Sequence, residues 1–254
     1  MTGVQTCALP ICYQAWTEAS QDALVPWLAE FGPTAWQHPV PSGVLAPTET
    51  ALARVKADAV AGNRDTLGIR WWTPSRLRNE LLQRAEAPFA VARREDLQFA
   101  LRVVAEALPS SPPVLAARRN PADILTELDQ LDAVGWTPEA DPRHQLAPLA
   151  RAFGQHLAAA GLQTAPQAER WLHHLTSGPG LGAVFAVGFS SRHLDRLRLL
   201  ETVAQRADSF TLLVPEQFGR RLPEIWGNSL EARFGPAESV GGGIGMEPCP
   251  GETA

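Results

Sequence analysis

Three short stretches of this chain set hydroxyls and guanidiniums side by side, and that combination is suited to phosphate. Thr48 has Thr50 and Arg54 close behind it. Thr73 is followed by Ser75, Arg76 and Arg78, and Ser190, Ser191 and Arg192 run into His193. A hydroxyl donates one hydrogen bond, and a guanidinium presents a planar fork of donors that matches phosphate oxygens. Each stretch stands where a helical pattern begins, and the free backbone N–H groups of a first turn favour anions. Every one of them also has a plainer reading. Thr48 and Thr73 are good helix caps, Ser190 and Ser191 can cap the helix that follows, and the arginines can simply be solvated. The sequence leaves both readings open.

Other chemistry is missing from this stretch of sequence. Lys56 is the single lysine among 22 basic residues, and it lies inside a helical pattern. A phosphate-binding loop needs a glycine-rich turn ending in Lys-Ser or Lys-Thr, and none is present. A PD-(D/E)XK nuclease needs a lysine two residues after an acid, but Arg54 holds that place before Lys56. His173-His174 lacks a third metal ligand nearby, and Gly241-Gly242-Gly243 is followed by neither a helix nor a lysine. Glu127, Asp129 and Asp132 read as a solvated acidic helix face. Trp71-Trp72 could stack a base, but strand alternation turns at most one of them outward, which favours core packing. The expectation is a chain without catalytic residues, metal or cofactor, although a longer parent could use Mg²⁺.

The elements that would carry these residues follow from apolar spacing. A helix is expected over Ser20–Phe31, with Pro26 inside it. The apolar run Gly43–Pro47 reads as a strand, Glu49–Ala61 as a helix stopped by Gly62, and Ile69–Trp72 as a second strand. This is a βαβ unit, which implies a parallel pair. Thr73-Pro74 opens a largely helical stretch. It contains helices over Arg93–Leu108, from Asn120-Pro121 onward, around Leu146 to Leu157, and over Thr164–Leu175, with an isolated strand at Pro113–Ala116. A second βαβ unit follows: strand Ala183–Val187, helix from about Arg192 to Arg206, strand Phe210–Val214. Two βαβ units flanking a helical insertion predict one doubly wound parallel α/β sheet. The expected organisation is 13–73 for the first part of the α/β domain, 74–180 for the insertion, 181–236 for the second part and 237–254 for an unfolded tail.

Thr2 to Ile11 read as the translation of a widely used short-read sequencing adapter, so residues 1–12 are set aside as an artefact and the chain is expected to be a fragment. Cys7 and Cys12 fall within that segment. Cys249 alone forms no internal disulfide, which fits a cytoplasmic protein. The net charge of −5 argues against a uniformly basic nucleic-acid binder and leaves room for a local groove. No apolar run is long enough for a membrane span.

The order of segments resembles the N-terminal, helicase-like half of AddB/RexB-type subunits of bacterial helicase–nucleases, related to the PD-(D/E)XK nuclease family. The strings that carry it are VLAPTETALARV at 44–55, WWTPSRLRNEL at 71–81, LARAFGQHLAAAGL at 149–162, AVFAVGFS at 183–190 and FTLLVPE at 210–216. The resemblance covers about residues 20–220 and implies a P-loop-like, superfamily 1 helicase-type sheet. It further implies a role in DNA double-strand-break repair, with single-stranded DNA and a helicase subunit as partners. It places Val44–Thr48 at a DNA-touching loop, Ala183–Phe189 on the Walker B strand and Leu212–Glu216 on the next core strand. A motor needs a carboxylate at the Walker B tip to hold Mg²⁺. Here Gly188, Phe189, Ser190 and Ser191 follow Val187, and Asp195 is the first acid. The expectation is a degenerate scaffold that binds single-stranded DNA through Thr48, Arg54, Ser75, Arg76, Arg78, Ser190, Ser191 and Arg192. Two alternatives remain: an ATP-dependent helicase or nuclease with its motifs outside this stretch, and a structural α/β module without DNA contact.

Overall fold

The seven residues of the strand Leu181–Val187 are all buried, as expected of a strand covered on both faces. The computed structural model describes residues 22–62, 64, 66–133, 135–214, 230 and 232–234. The segments 1–12 and 237–254, the cysteines, Ser20, Pro215 and Glu216 lie outside the described residues.

Helix α1 spans 22–31, strand β1 Gly43–Leu45, α2 Glu49–Ala61, β2 Arg70–Trp72 and α3 Pro74–Arg84. Then come β3 (Ala90–Val91), α4 (Arg94–Ala107), α5 (Pro112–Arg119), α6 (Pro121–Ala133), α7 (Ala147–Ala159), β4 (Leu162–Gln163) and α8 (Ala165–His174). The described chain continues through β5 (Leu181–Val187), a 3₁₀ turn at Ser191–Arg196, α9 (Leu197–Arg206) and β6 (Ala207–Leu213).

The main sheet has the order β2-β1-β5-β6, and its pairs are parallel. From β1 the chain moves outward to β2, then returns to the other side of β1 for β5 and β6. Right-handed crossovers run in opposite directions must put their helices on opposite faces. The packing obeys this. Leu52 and Ala59 of α2 share a core with Leu24, Trp27 and Leu28 of α1 and with Val44, Phe185 and Val187. On the other face, Leu77 and Leu81 of α3, Leu172 of α8 and Leu200 of α9 pack on Leu45, Val184 and Ala186. Trp72 is buried in this second core, while Trp71 lies half-buried on the first. Strand alternation thus turns both tryptophans to packing roles. Gly43 opens β1 because a side chain there would overlap the Arg70 carbonyl and the Trp72 ring.

Residues 74–180 divide between two cores. Helices α3 and α8 cover the sheet, whereas Leu101, Leu125, Leu149 and Phe153 belong to a separate core built from α4 to α7. At the neck of this helical subdomain β3 pairs in parallel with β4, Ala90 opposite Leu162. A two-residue strand carries no periodicity, so this pair leaves no sign in the sequence.

Two elements differ from expectation. Pro113–Ala116 is part of helix α5, because Ser111 followed by two prolines presets the first turn and turns Val114 and Ala117 toward the subdomain core. The helix expected from Arg192 begins only at Leu197, since His193 adopts φ −112° and ψ 30° and breaks the pattern.

Candidate functional site

A doubly wound sheet opens a crevice where its strand order reverses, outside the carboxyl ends of the two central strands. Here those strands are β1 and β5. Gly188, just past β5, has φ +83°, and an added Cβ would sit 3.5 Å from Pro47 Cδ, just past β1. The two exits therefore lie side by side, as the pairing of Leu45 with Ala186 requires. Beside them lies a hollow of about 340 Å³ whose lining includes Thr48, Thr73, Ser75, Arg78, Ala165 and Arg196. The first turns of α2 and α3 both open toward it.

The predicted residues are used in different ways here. Thr48 caps α2 by accepting from the Ala51 N–H at 3.2 Å, so its cap role and its place on the hollow coexist. Thr73 occupies the cap position of α3 but makes no cap bond. Its hydroxyl donates to Glu49 Oε1 at 3.4 Å and lies 3.2 Å from Ser75 Oγ. Arg76 Nε meets the same Glu49 oxygen at 3.0 Å, with both side chains well exposed. Arg54 is exposed on α2, two turns beyond Thr48, and is not among the residues that line the hollow.

Arg78 is the largest departure from a solvated reading. It is buried and donates from Nη1 to Glu169 Oε1 at 3.1 Å, while its Nε has no partner. Ser190 Oγ and the Ser190 N–H both lie against His193 Nδ1, at 3.2 and 3.1 Å. A ring nitrogen that accepts a backbone N–H fixes a turn and is poorly placed as a general base. Ser191 and Arg192 stand in the 3₁₀ turn, with side chains outside the described residues. Asp195, the first acid after the β5 tip, pairs with Arg196 Nε at 3.1 Å. Among the described residues no group of three or more His, Cys, Asp or Glu side chains is placed to hold a metal. No described helix is long and apolar enough to cross a membrane.

A second hollow of about 250 Å³ adjoins the first in the seam between the sheet and the helical subdomain. Arg78 and Arg196 line both. Glu169 of α8 lies between these two arginines, with Arg196 Nη1 at 3.5 Å. Burial pushes its carboxyl above the usual carboxylate range, against the opposing pull of Arg196 and Arg78. Asp129 is likewise raised, by burial, although Arg94 donates to it at 2.6 Å. Asp132 pairs with Arg170 and, at 3.0 Å, with Arg198. The acidic face of α6 is therefore solvated only in part: Glu127 is exposed, whereas Asp129 and Asp132 are engaged by arginines of other helices.

Glu169 and Arg196 were not singled out from sequence, and Asp129 and Asp132 were read there only as part of a solvated face. One signal was available for Glu169, because its three-residue spacing to Leu172 places it beside the apolar stripe of α8. A carboxylate there must be buried, and therefore must find a cation.

Fold and site together define a parallel, doubly wound α/β protein with a helical subdomain and an arginine-rich carboxyl edge. No protein-family model and no curated protein matches the chain.

Proposed function

We propose that this chain is a noncatalytic, helicase-like scaffold of a machine that processes DNA ends, laying single-stranded DNA across the carboxyl edge of its sheet and docking a helicase partner subunit. The observation that carries this reading is the convergence of Thr48, Ser75 and Arg196 on one hollow at the strand-order reversal, with Arg76 at its rim through Glu49. Helix starts, hydroxyls and guanidiniums at one edge suit a chain of phosphates. The resemblance of segments 44–55, 71–81 and 183–190 to AddB/RexB-type subunits supports a P-loop-like ancestry. In that ancestry β5 is the Walker B strand, and Gly188-Phe189-Ser190 stands where a motor carries its carboxylate. Arg76 is the best candidate for direct phosphate contact, because its exposed pair with Glu49 is easily exchanged. Ser190, Ser191 and Arg192 flank the same edge, and Arg54 extends it along α2.

Fluorescence anisotropy of a labelled 5′-hydroxyl oligothymidylate, titrated at several salt concentrations, tests the reading. Affinity should fall with salt at a slope of about −0.7 per phosphate contacted. Arg76→Ala should flatten that slope by about 0.7, and Glu49→Gln should tighten binding by freeing Arg76. Salt-independent binding, or none, overturns the proposal. Mg²⁺-dependent ATP turnover abolished by Asp195→Asn would overturn its noncatalytic part.

A further inference from the structure

Helix α4 carries an apolar strip on the side that faces away from its own core. Leu97, Leu101, Val104 and Ala105 turn inward, as an amphipathic helix requires. Yet Phe99 is 72 % exposed, and Val103, one turn further on, is 42 % exposed. Ala107 extends the row by another turn and is exposed as well. Apolar residues scattered singly over a surface need no explanation, whereas neighbours along one helix row form a patch. Charges flank this patch. Glu95 and Arg102 are both exposed, and among the described residues neither side chain has an ion-pair or hydrogen-bond partner. Seven positions separate them, which is about 20° short of two full turns. They therefore stand on the same flank of the strip, with Phe99 close to their midpoint.

That spacing is self-complementary. We propose that α4 is the interface of a weak two-fold dimer, in which two copies of this chain lay their α4 helices antiparallel and cross at Phe99. A two-fold axis at that crossing reverses the helix direction and keeps each flank on its own side. Each Arg102 then faces the partner's Glu95, and the two Phe99 rings meet at the centre. A parallel pairing would set glutamate against glutamate and arginine against arginine, so the charges also select the direction. On the opposite flank Val103 faces the partner's Asp96, which is the one mismatched contact. With 14 residues, α4 is about 21 Å long. One pair of such helices buries less than the roughly 1,200 Å² of a stable interface, so the dimer belongs to the weak, transient class. This inference does not rest on the proposed function.

Sedimentation equilibrium of the full chain in low salt, carried to several hundred micromolar, tests the pairing. The chain should pass from monomer to dimer across that range. Phe99→Ser should abolish the dimer without moving the thermal midpoint, because so exposed a ring holds little of the fold. Arg102→Glu and Glu95→Arg should each weaken association roughly tenfold, since each sets like charges together twice. An equimolar mixture of these two variants should recover it, because their heterodimer regains both ion pairs, and the double variant should recover it as well. Asp96→Ala should tighten the dimer severalfold by removing the mismatch. A chain that stays monomeric at every concentration overturns the proposal, and so does association that survives Phe99→Ser. Association that depends on Phe99 but is not recovered in the mixture also overturns it, because the two-fold pairing is then wrong.

Discussion

Arg78 and Glu169 show burial and charge in direct conflict. Their side chains are 8 % and 2 % exposed, so neither ion has water to fall back on. Removing one partner of such a pair strands the other. Arg78→Met should therefore destabilise the fold by about 3–5 kcal/mol in urea melts. The double variant Arg78→Met/Glu169→Leu should recover most of that loss, because it removes both desolvation penalties. Glu169 also has a definite pH signature. Its folded carboxyl is raised, so above the ordinary value of 4.5 the folded state keeps a proton that the unfolded state has released. Stability from that proton is full below 4.5 and is lost as pH rises through the folded value. Urea melts between pH 7 and 4.5 should thus show wild type gaining on Glu169→Gln as pH falls. A difference that stays flat or moves the other way would show that the carboxyl is not raised.

At the level of elements, the caps separate what a residue type promises from what its setting allows. Thr164 and Gln167 form a reciprocal capping box on α8, with Thr164 Oγ1 accepting from the Gln167 N–H and Gln167 Oε1 accepting from the Thr164 N–H. Thr73 looks like an equally good cap ahead of Pro74, yet its hydroxyl is drawn to Glu49 and Ser75. Thr164→Ala should therefore cost about 1 kcal/mol of stability through lost capping. Thr73→Ala should remove no cap bond and act instead on Glu49, loosening its hold on Arg76. Parallel thermal melts of the two variants distinguish these outcomes. Equal losses would mean that Thr73 does cap α3 in solution. The 3₁₀ turn Ser191–Arg196 matters for the same reason, because delaying α9 is what brings Asp195 and Arg196 to the carboxyl edge.

Across the whole molecule, two apolar cores meet without merging. The sheet's core includes α3, α8 and α9, the subdomain's core includes α4 to α7, and charged side chains occupy the seam between them. Asp132 of α6 is the main tie, holding Arg170 of α8 and Arg198 of α9. Its partial burial protects these bonds from the screening that weakens exposed pairs. Asp132→Asn should weaken the junction by about 1–3 kcal/mol. Hydrogen exchange should then show α6 losing protection while β1 and β5 keep theirs. Uniform loss across both would mean that sheet and subdomain unfold as one cooperative unit.

The sequence alone determined the kinds of nearly all the longer elements and their broad grouping, with Pro113–Ala116 the exception. Apolar spacing is a local property, and the alternation of strand and helix patterns at 43–72 and 181–213 was enough to expect one parallel α/β sheet with helices inserted. It also exposed the helix-start threonines and the weak carboxyl tip of β5. Tertiary structure alone decided which arginines are free and which are spent. Arg78 meets Glu169 across 91 positions, Arg198 meets Asp132 across 66 and Thr73 meets Glu49 across 24. No local pattern encodes such pairings, because they depend on how helices far apart in sequence cross the same sheet face. The two-residue β3–β4 neck was hidden for a related reason: its pairing comes from where the chain leaves and re-enters the subdomain.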